Sequence, residues 1–357
     1  MSNLFQPLQF KSGSSLKNRF MLAPLTNTQS HADGRLSDDE YHWLTMRAKG
    51  GFGLTMTCAA HVQAVGLGFP GQLGIFGDEH LEGLTRLAQG IKNENSLAVV
   101  QLHHAGMRSP AELIGQAPVC PSDHPETGAT GLSTAAVEQL IEDFICAAER
   151  AEKAGFDGVE IHGAHGYILA QFLSDTINQR QDQFGGSIEN RMRPITEIIE
   201  GVRSRCRPDF LLGLRLSPER FDVHLPDIIE VAKVILAAGK IDFLDMSLWD
   251  SFKEPEDEAF KGCSLLSYFT ELERGDVALG IAGKLRNPDE VNRAMAAGID
   301  FIMLGRAAIL HHDFPLQMQA DQDFTPVRNP VSADYLRAEG LGEAFITYMS
   351  GWKGFVG

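Results

Sequence analysis

The chain has 357 residues, of which 43% are hydrophobic, and its 47 acidic and 31 basic side chains give a net charge of −16. That length and hydrophobic content suit one large α/β domain or two ordinary ones, while the negative charge opposes binding to phosphate backbones and to anionic membranes. We therefore expect neither nucleic acid nor a membrane as a partner.

The sequence shows no targeting segment or membrane span. The N-terminal stretch lacks a charged segment followed by an apolar one, and no apolar run approaches the length of about 18 residues that a spanning helix needs. The five cysteines stand singly, without a C-x-x-C pair, so they indicate neither a disulfide framework nor a zinc or iron–sulfur site. These features predict a cytoplasmic protein with reduced thiols.

Eight short apolar runs rich in β-forming residues recur along the chain. They span 19–23, 53–57, 98–102, 158–161, 211–216, 243–247, 277–281 and 301–304. Segments with helical periodicity separate most of them; in 132–155, Thr134 is placed to cap a helix and Gly155 to end it. An eightfold repeat of strand and helix predicts a single (β/α)8 TIM barrel comprising residues 1–357.

Three segments fall outside the predicted repeat. A hairpin before Asn18 is expected to form a lid over the lower face of the barrel. A long loop after the third strand, at 104–131, is rich in Pro, Gly and Ser, and loops of this length often serve as lids. The segment 333–357 predicts one closing helix with an aromatic tail.

In such a barrel the chemistry lies at the C-terminal ends of the strands, where the loops converge on one mouth. The ends carry Pro24-Leu25-Thr26, Ala59, Gln101, His162, Arg215, Ser247-Leu248-Trp249, Gly283 and Gly305-Arg306, in that order. Glycines after strands seven and eight, followed by the cation of Arg306, predict a phosphate site. Gln101 can bond a ring edge and Arg215 can stabilise an anionic ring, which are the needs of a reduced flavin.

Two histidines follow the fourth strand in the motif His162-x-x-His165, with Tyr167 two residues later. The spacing admits a metal site completed by Glu160, His103 or His104, a pair of structural histidines, or two N–H donors for a substrate oxygen. Tyr167 is either a packing residue or a proton donor. Glu160 beside Arg215 predicts a structural ion pair, and the charged residues of 180–193 predict a network that braces this loop, with Ser187 as a helix cap.

Several motifs, in the same order along the chain, resemble the signatures of the Old Yellow Enzyme family of FMN-dependent NAD(P)H oxidoreductases, the ene-reductases. They are APLTN at 23–27, RAKGGFGL at 47–54, QLHHAG at 101–106, the stretch HGAHGYILAQFLSDTINQRQDQFGGSIENRMR at 162–193, GLRLS at 213–217 and MLGRA at 303–307. The resemblance covers nearly the whole chain, and its long motif is highly specific.

The resemblance implies non-covalent FMN, with NADPH or NADH as hydride donor. It places Thr26 near the flavin C4 carbonyl, with Pro24 and Leu25 beside it, Ala59 under the ring, Gln101 at the pyrimidine edge, Arg215 at the anionic reduced ring, and Gly283, Gly305 and Arg306 at the phosphate. His162 and His165 resemble the pair that binds a substrate oxygen, and Tyr167 resembles the proton donor. His103 and Met107 depart from the tryptophan and arginine that many members have there.

The resemblance thus predicts ping-pong reduction of the C=C bond of α,β-unsaturated carbonyl or nitro compounds, which are small activated alkenes. A homo-oligomer is compatible with the sequence. Two other functions are retained as alternatives: a non-catalytic flavin-binding redox protein, and a metal-dependent hydrolase on the same fold.

Overall fold

Eight parallel strands close into a barrel in the computed structural model, which describes residues 3–357. The strands are β1 Phe20–Leu22, β2 Leu54–His61, β3 Leu97–His103, β4 Gly158–Gly163, β5 Leu211–Leu216, β6 Phe243–Ser247, β7 Ala278–Ala282 and β8 Phe301–Leu304. Each strand pairs with the next in sequence, and Met303 of β8 lies opposite Met21 of β1, which closes the barrel. The predicted TIM barrel is confirmed.

The strands are nearly continuous apolar runs because the barrel buries both of their faces. Inside the barrel, Phe243 and Phe301 pack edge to face with ring centroids 5.7 Å apart. The N-terminal hairpin, Leu8–Gln9 with Ser15–Leu16, adds Phe10 and Leu16 to this inner cluster. The Phe10 ring lies 5.9 Å from that of Phe243, the first residue of β6, so the hairpin closes the lower end of the barrel.

Helices surround the barrel and pack their apolar faces on the outside of the strands. The longer ones are Asp38–Lys49, Leu81–Asn93, Thr134–Lys153, Arg193–Arg205, Leu225–Ala238 and Pro288–Ala296. The shorter ones are Ala111–Ile114, Ile168–Leu173, Ile188–Arg191, Ser267–Thr270, Arg306–Leu310, Phe314–Ala320, Ala333–Ala338 and Glu343–Ser350. In residues 3–357, none of the helices has both the length and the hydropathy to cross a membrane.

The predicted cap at Thr134 is wrong by one residue. Ser133 is extended and its hydroxyl accepts a hydrogen bond from the backbone N–H of Ala136, whereas Thr134 is the first helical residue. The Thr134 hydroxyl donates to Asp182 instead, at 2.7 Å. Ser187 caps Ile188–Arg191 as predicted.

The two remaining predicted segments contain more regular structure than expected. The long loop after β3 includes the helix Ala111–Ile114 and a small parallel pair, Val119–Cys120 with Thr130–Gly131. The prediction of a single closing helix is wrong, because the segment forms two helices, Ala333–Ala338 and Glu343–Ser350. Gly340 between them has a φ of +82°, a left-handed conformation that a continuous helix does not contain.

Candidate active site

A cavity of about 230 Å³ opens at the C-terminal ends of the strands. Its walls are formed by Pro24, Leu25, Thr26, Ala59, Phe69, Gln101, His162, His165, Tyr167, Arg215, Arg306, Ile309, Tyr348, Met349 and Trp352. The fold thus brings together all the site residues expected from the sequence except Gly283 and Gly305.

Those two glycines are not among the wall residues. A Cβ added to Gly305 would be 3.3 Å from Leu25 Cδ2, so this position borders the wall that Leu25 forms. Gly283 is approached by Ser251, whose hydroxyl donates to the Gly283 carbonyl at 2.7 Å and would be 2.9 Å from an added Cβ. A side chain at position 283 would therefore crowd Ser251.

The two histidines present ring nitrogens to each other at the mouth. His162 Nε2 lies 3.3 Å from His165 Nδ1. The backbone N–H of Ala164 donates to His162 Nδ1 at 3.2 Å, and His165 Nε2 lies 2.7 Å from Ser247 Oγ. Burial, reinforced by the positive charge of Arg215, holds the pKa of both rings well below the usual value, so both are neutral at physiological pH.

A tight turn after β4 places His165 on the same side as His162. His165 has a φ of +59°, which is uncommon for a residue other than glycine. Its backbone N–H donates to the hydroxyl of Ser217, at the end of β5, at 3.0 Å. The strained turn is thus anchored to the neighbouring strand.

Tyr167 lies between His162 and His103 at the mouth. Its ring centroid is 5.1 Å from that of His162 and 4.3 Å from that of His103, with the rings nearly perpendicular in both pairs. Burial raises the pKa of Tyr167, and the nearby Arg108 guanidinium opposes the rise. The phenol therefore keeps its proton at neutral pH and is able to act as an acid.

Arg215 is held by a carboxylate other than the predicted one. Its Nε lies 2.8 Å from Asp245 Oδ2, so the predicted ion pair with Glu160 is wrong. The barrel register explains the difference, because Asp245 is directly opposite Arg215 while Glu160 is opposite Gly213. Glu160 instead accepts a hydrogen bond from Gln101 Nε2 at 2.7 Å, and burial together with the charge of Asp245 raises the pKa of Glu160 to about 8.

The residues of the cavity fit a flat anionic cofactor. A shift in the pairing of β2 with β3 between Met56 and Ala59 brings the small Ala59 to the mouth, next to Gln101. Arg306 is half buried at the wall, and burial, followed by the charge of Arg286, lowers its pKa. A guanidinium at this wall suits a phosphate.

Five wall residues were not predicted from the sequence. Phe69 lies in the loop after β2, and Ile309 is on the short helix after β8. Tyr348, Met349 and Trp352 come from the last helix and the turn after it, and their spacing fits one helix face. That spacing can be seen in the sequence, but it does not show which part of the barrel this helix face packs against.

The charged residues of 180–193 are predicted to brace the loop that presents the histidines. Arg180 donates to the Pro121 carbonyl at 2.8 Å and pairs with Asp182, and Arg191 pairs with Asp227 at 2.8 Å. These residues form structural ion pairs and hydrogen bonds, whereas the bracing of the loop that presents the histidines stays a prediction. Within residues 3–357, no three His, Cys, Asp or Glu side chains are grouped so that they could hold a metal ion.

Comparisons with known proteins place this architecture among flavin enzymes. Residues 3–323 match the profile of the NADH:flavin oxidoreductase / NADH oxidase family. The chain is 33% identical over 362 residues to the probable NADH-dependent flavin oxidoreductase YqiG of Bacillus subtilis, with 98% of this chain and 97% of that protein covered. It is 33% identical over 337 residues to the NADPH dehydrogenase of the same organism, with 92% and 97% covered.

A solved structure agrees with these sequence matches. The Old Yellow Enzyme homologue from Zymomonas mobilis superposes with a TM-score of 0.80 at 26% identity, and the match covers 97% of this chain and 99% of that one. The region matched by the family profile contains all the strand ends that form the cavity, whereas Tyr348, Met349 and Trp352 follow it.

Proposed function

Because this chain belongs to the NADH:flavin oxidoreductase / NADH oxidase family, it is an NAD(P)H-dependent flavin oxidoreductase with FMN as cofactor, and we propose that it reduces small alkenes activated by a carbonyl or nitro group. The observation that carries the proposal is the pair of neutral imidazoles at the mouth, His162 Nε2 and His165 Nδ1, 3.3 Å apart with Tyr167 beside them.

We assign the inner part of the cavity to the cofactor. Thr26, Pro24 and Leu25 would contact the ring near its C4 carbonyl, Ala59 would lie against it, Gln101 would bond its pyrimidine edge, Arg215 would compensate its negative charge, and Arg306 with Gly283 and Gly305 would hold the phosphate. FMN, when bound, accepts a hydride from NADPH or NADH and supplies it to the substrate. The protein supplies position and charge.

We assign His162 and His165 to the substrate oxygen. Two N–H donors on one carbonyl or nitro oxygen withdraw electron density from the conjugated C=C bond and stabilise the negative charge that develops on the oxygen. Neutral imidazoles suit this role because they donate hydrogen bonds while remaining uncharged, and the low pKa of both rings keeps them so across the physiological range.

We assign Tyr167 to proton delivery at the α-carbon of the substrate. Its phenol is a cavity wall residue, and its raised pKa keeps it protonated. Since a nicotinamide and an alkene would occupy the same position next to the histidines, we expect ping-pong kinetics.

The test uses purified protein, FMN and cyclohexenone with NADPH and with NADH in turn. We expect yellow protein that oxidises the nicotinamide in proportion to enone reduced. A His162→Ala, His165→Ala double variant should stay yellow but lose both enone reduction and phenol binding, whereas His42→Ala, at an exposed position on Asp38–Lys49, should match the native protein.

Three outcomes would contradict the proposal in different ways. Protein that takes up no FMN would contradict the assigned cofactor site. Protein that binds FMN but oxidises no nicotinamide would instead support a non-catalytic flavin-binding redox protein. Loss of flavin from the double variant would mean that the two histidines contact the cofactor rather than the substrate.

A further inference from the structure

Ser247, the last residue of β6, bonds the His165 nitrogen that faces away from His162. Its Oγ lies 2.7 Å from His165 Nε2, and the other nitrogen of that ring, Nδ1, lies 3.3 Å from His162 Nε2. The three groups form one chain of hydrogen bonds, whose direction depends on where the protons are. That direction determines whether the pair is able to donate twice to a substrate oxygen.

The proton on His162 has a fixed position. The backbone N–H of Ala164 donates to His162 Nδ1, so this nitrogen is an acceptor. A neutral imidazole carries one N–H, and the proton is therefore on Nε2. His162 Nε2 is a donor whether or not a substrate is present.

The proton on His165 has two positions available. In the structure as it stands, His165 Nδ1 accepts from His162 Nε2, so the His165 proton is on Nε2 and is donated to the Ser247 hydroxyl. In this arrangement the N–H of His162 is already used and His165 presents only a lone pair to the mouth. An oxygen bound there would meet a single donor.

Two donors require the other tautomer of His165, with its proton on Nδ1. His165 Nε2 then needs a donor, and a serine hydroxyl can become one by rotating about its C–O bond. Two N–H groups 3.3 Å apart repel each other unless an acceptor lies against both, so an oxygen ligand favours this second arrangement and an empty mouth favours the first.

We propose that Ser247 is a positioning residue that reverses from hydrogen-bond acceptor to donor when an oxygen ligand binds, and so shifts His165 from the Nε2–H to the Nδ1–H tautomer. One proton leaves Nε2 and one arrives at Nδ1, both exchanging with water at the mouth, while the ring stays neutral and Ser247 keeps its single proton. The proposal rests on the oxygen-binding role assigned to the two histidines above.

A second serine contacts His165 and provides a matched comparison. Ser217 Oγ accepts from the backbone N–H of His165 at 3.0 Å and so anchors the turn without touching the ring. Ser217→Ala should therefore lower the thermal stability but leave the tautomer shift in place. Ser247→Ala should abolish the shift, and Ser247→Thr, which keeps a hydroxyl, should restore it.

The test is ¹⁵N NMR of histidine side chains in the FMN-loaded protein, with and without 4-hydroxybenzaldehyde as the oxygen ligand. His165 is assigned by its absence in His165→Asn, and its two nitrogens report the tautomer directly. We expect Nε2–H without the phenol and Nδ1–H with it in the native protein and in Ser217→Ala. In Ser247→Ala, phenol binding followed by the long-wavelength absorbance of the flavin should weaken by about tenfold, the loss of one hydrogen bond.

The same tautomer with and without the phenol, or a shift and an affinity that survive Ser247→Ala, would overturn the proposal. The result is independent of turnover. Native protein that shows the shift but reduces no enone would contradict the proposed alkene reduction and leave the role of Ser247 supported, whereas enone reduction without the shift would do the reverse.

Discussion

The guanidinium carbon of Arg108 lies 4.7 Å from the centroid of the Tyr167 ring. The same side chain donates from Nη1 to the carbonyl oxygen of His165 at 2.5 Å. Arg108 thus contacts the ring of Tyr167, the proposed proton donor, and the backbone of His165, one of the two proposed oxygen-binding residues. It begins the long loop after β3, so this loop is attached to the reacting groups as well as lying near them.

We expect Arg108→Ala to slow alkene reduction by about tenfold without affecting FMN binding. The variant loses a cation–π contact and removes the charge that opposes the raised pKa of Tyr167, which makes the phenol a weaker acid. Stopped-flow reoxidation of the reduced enzyme by cyclohexenone measures this step alone. Arg108→Lys should retain part of the rate because it keeps the charge. An Arg108→Ala variant as fast as the native enzyme would show that Arg108 does not assist proton transfer.

Tyr167→Phe should slow the same step by about 100-fold and leave flavin reduction by NADPH or NADH unchanged, because only the former needs a proton donor. In the native enzyme the acid must be protonated, and the pKa of Tyr167 is raised above its usual value of 10.0. The rate of alkene reduction should therefore hold up to pH 10 and fall only above it. A decline centred near pH 7 would point to a different acid.

Arg306→Ala should weaken FMN binding by about 10- to 100-fold, the range expected for one charge-assisted hydrogen bond. Riboflavin, which lacks the phosphate, should bind the variant and the native protein equally well. The matched control is Arg86→Ala, which removes the same charge at an exposed position on Leu81–Asn93. Equal losses for FMN and riboflavin would show that Arg306 contacts the ring or the ribityl chain.

The raised pKa of Glu160 predicts that the stability of the folded protein falls as the pH rises from acid to neutral values. Burial and the charge of Asp245 raise its pKa from the usual value of 4.5 to about 8, so the folded state binds this proton more tightly than the unfolded state. Stability contributed by the protonated carboxyl is complete below pH 4.5 and is lost as the pH rises towards about 8. Glu160→Gln should therefore flatten the fall in melting temperature between pH 5 and 8.5.

The control for this experiment is Glu142→Gln. The hydrogen bonds from Arg205 lower the pKa of Glu142, so that carboxyl is ionised in both states above pH 5. Its substitution should change the melting temperature by a similar amount at every pH in the same range. If Glu160→Gln behaves like this control, the buried carboxyl is ionised in the folded protein.

The strand ends were predictable because a closed parallel barrel brings every C-terminal end to one mouth, whatever the helices do. His162, Gln101 and Arg215 follow from that rule alone. The partner of Arg215 did not follow, because choosing Asp245 over Glu160 requires the register between strands, which depends on contacts far apart in sequence. The same limit applies to the walls: residues 348–352 read as an aromatic helix, but only packing shows that they face the mouth.

The cap at Ser133 and the break at Gly340 illustrate a second limit. Ser133 and Thr134 are chemically equivalent caps, and the choice is settled by Asp182, which occupies the Thr134 hydroxyl from a distant loop. Gly340 is compatible with helix or with a left-handed turn, and the packing of the two short helices selects the turn. In each case the local sequence is compatible with both structures.

The wall formed by Tyr348, Met349 and Trp352 has a consequence for the order of events in the cell. Protein synthesis delivers these residues after all eight strands, so a nascent chain can assemble the barrel, including the wall at Arg306, before the cavity has all its sides. Flavin that reaches the protein during translation would find a cavity that is open on one side. Completion of the cavity is therefore a late step of biogenesis, coupled to the docking of one short helix.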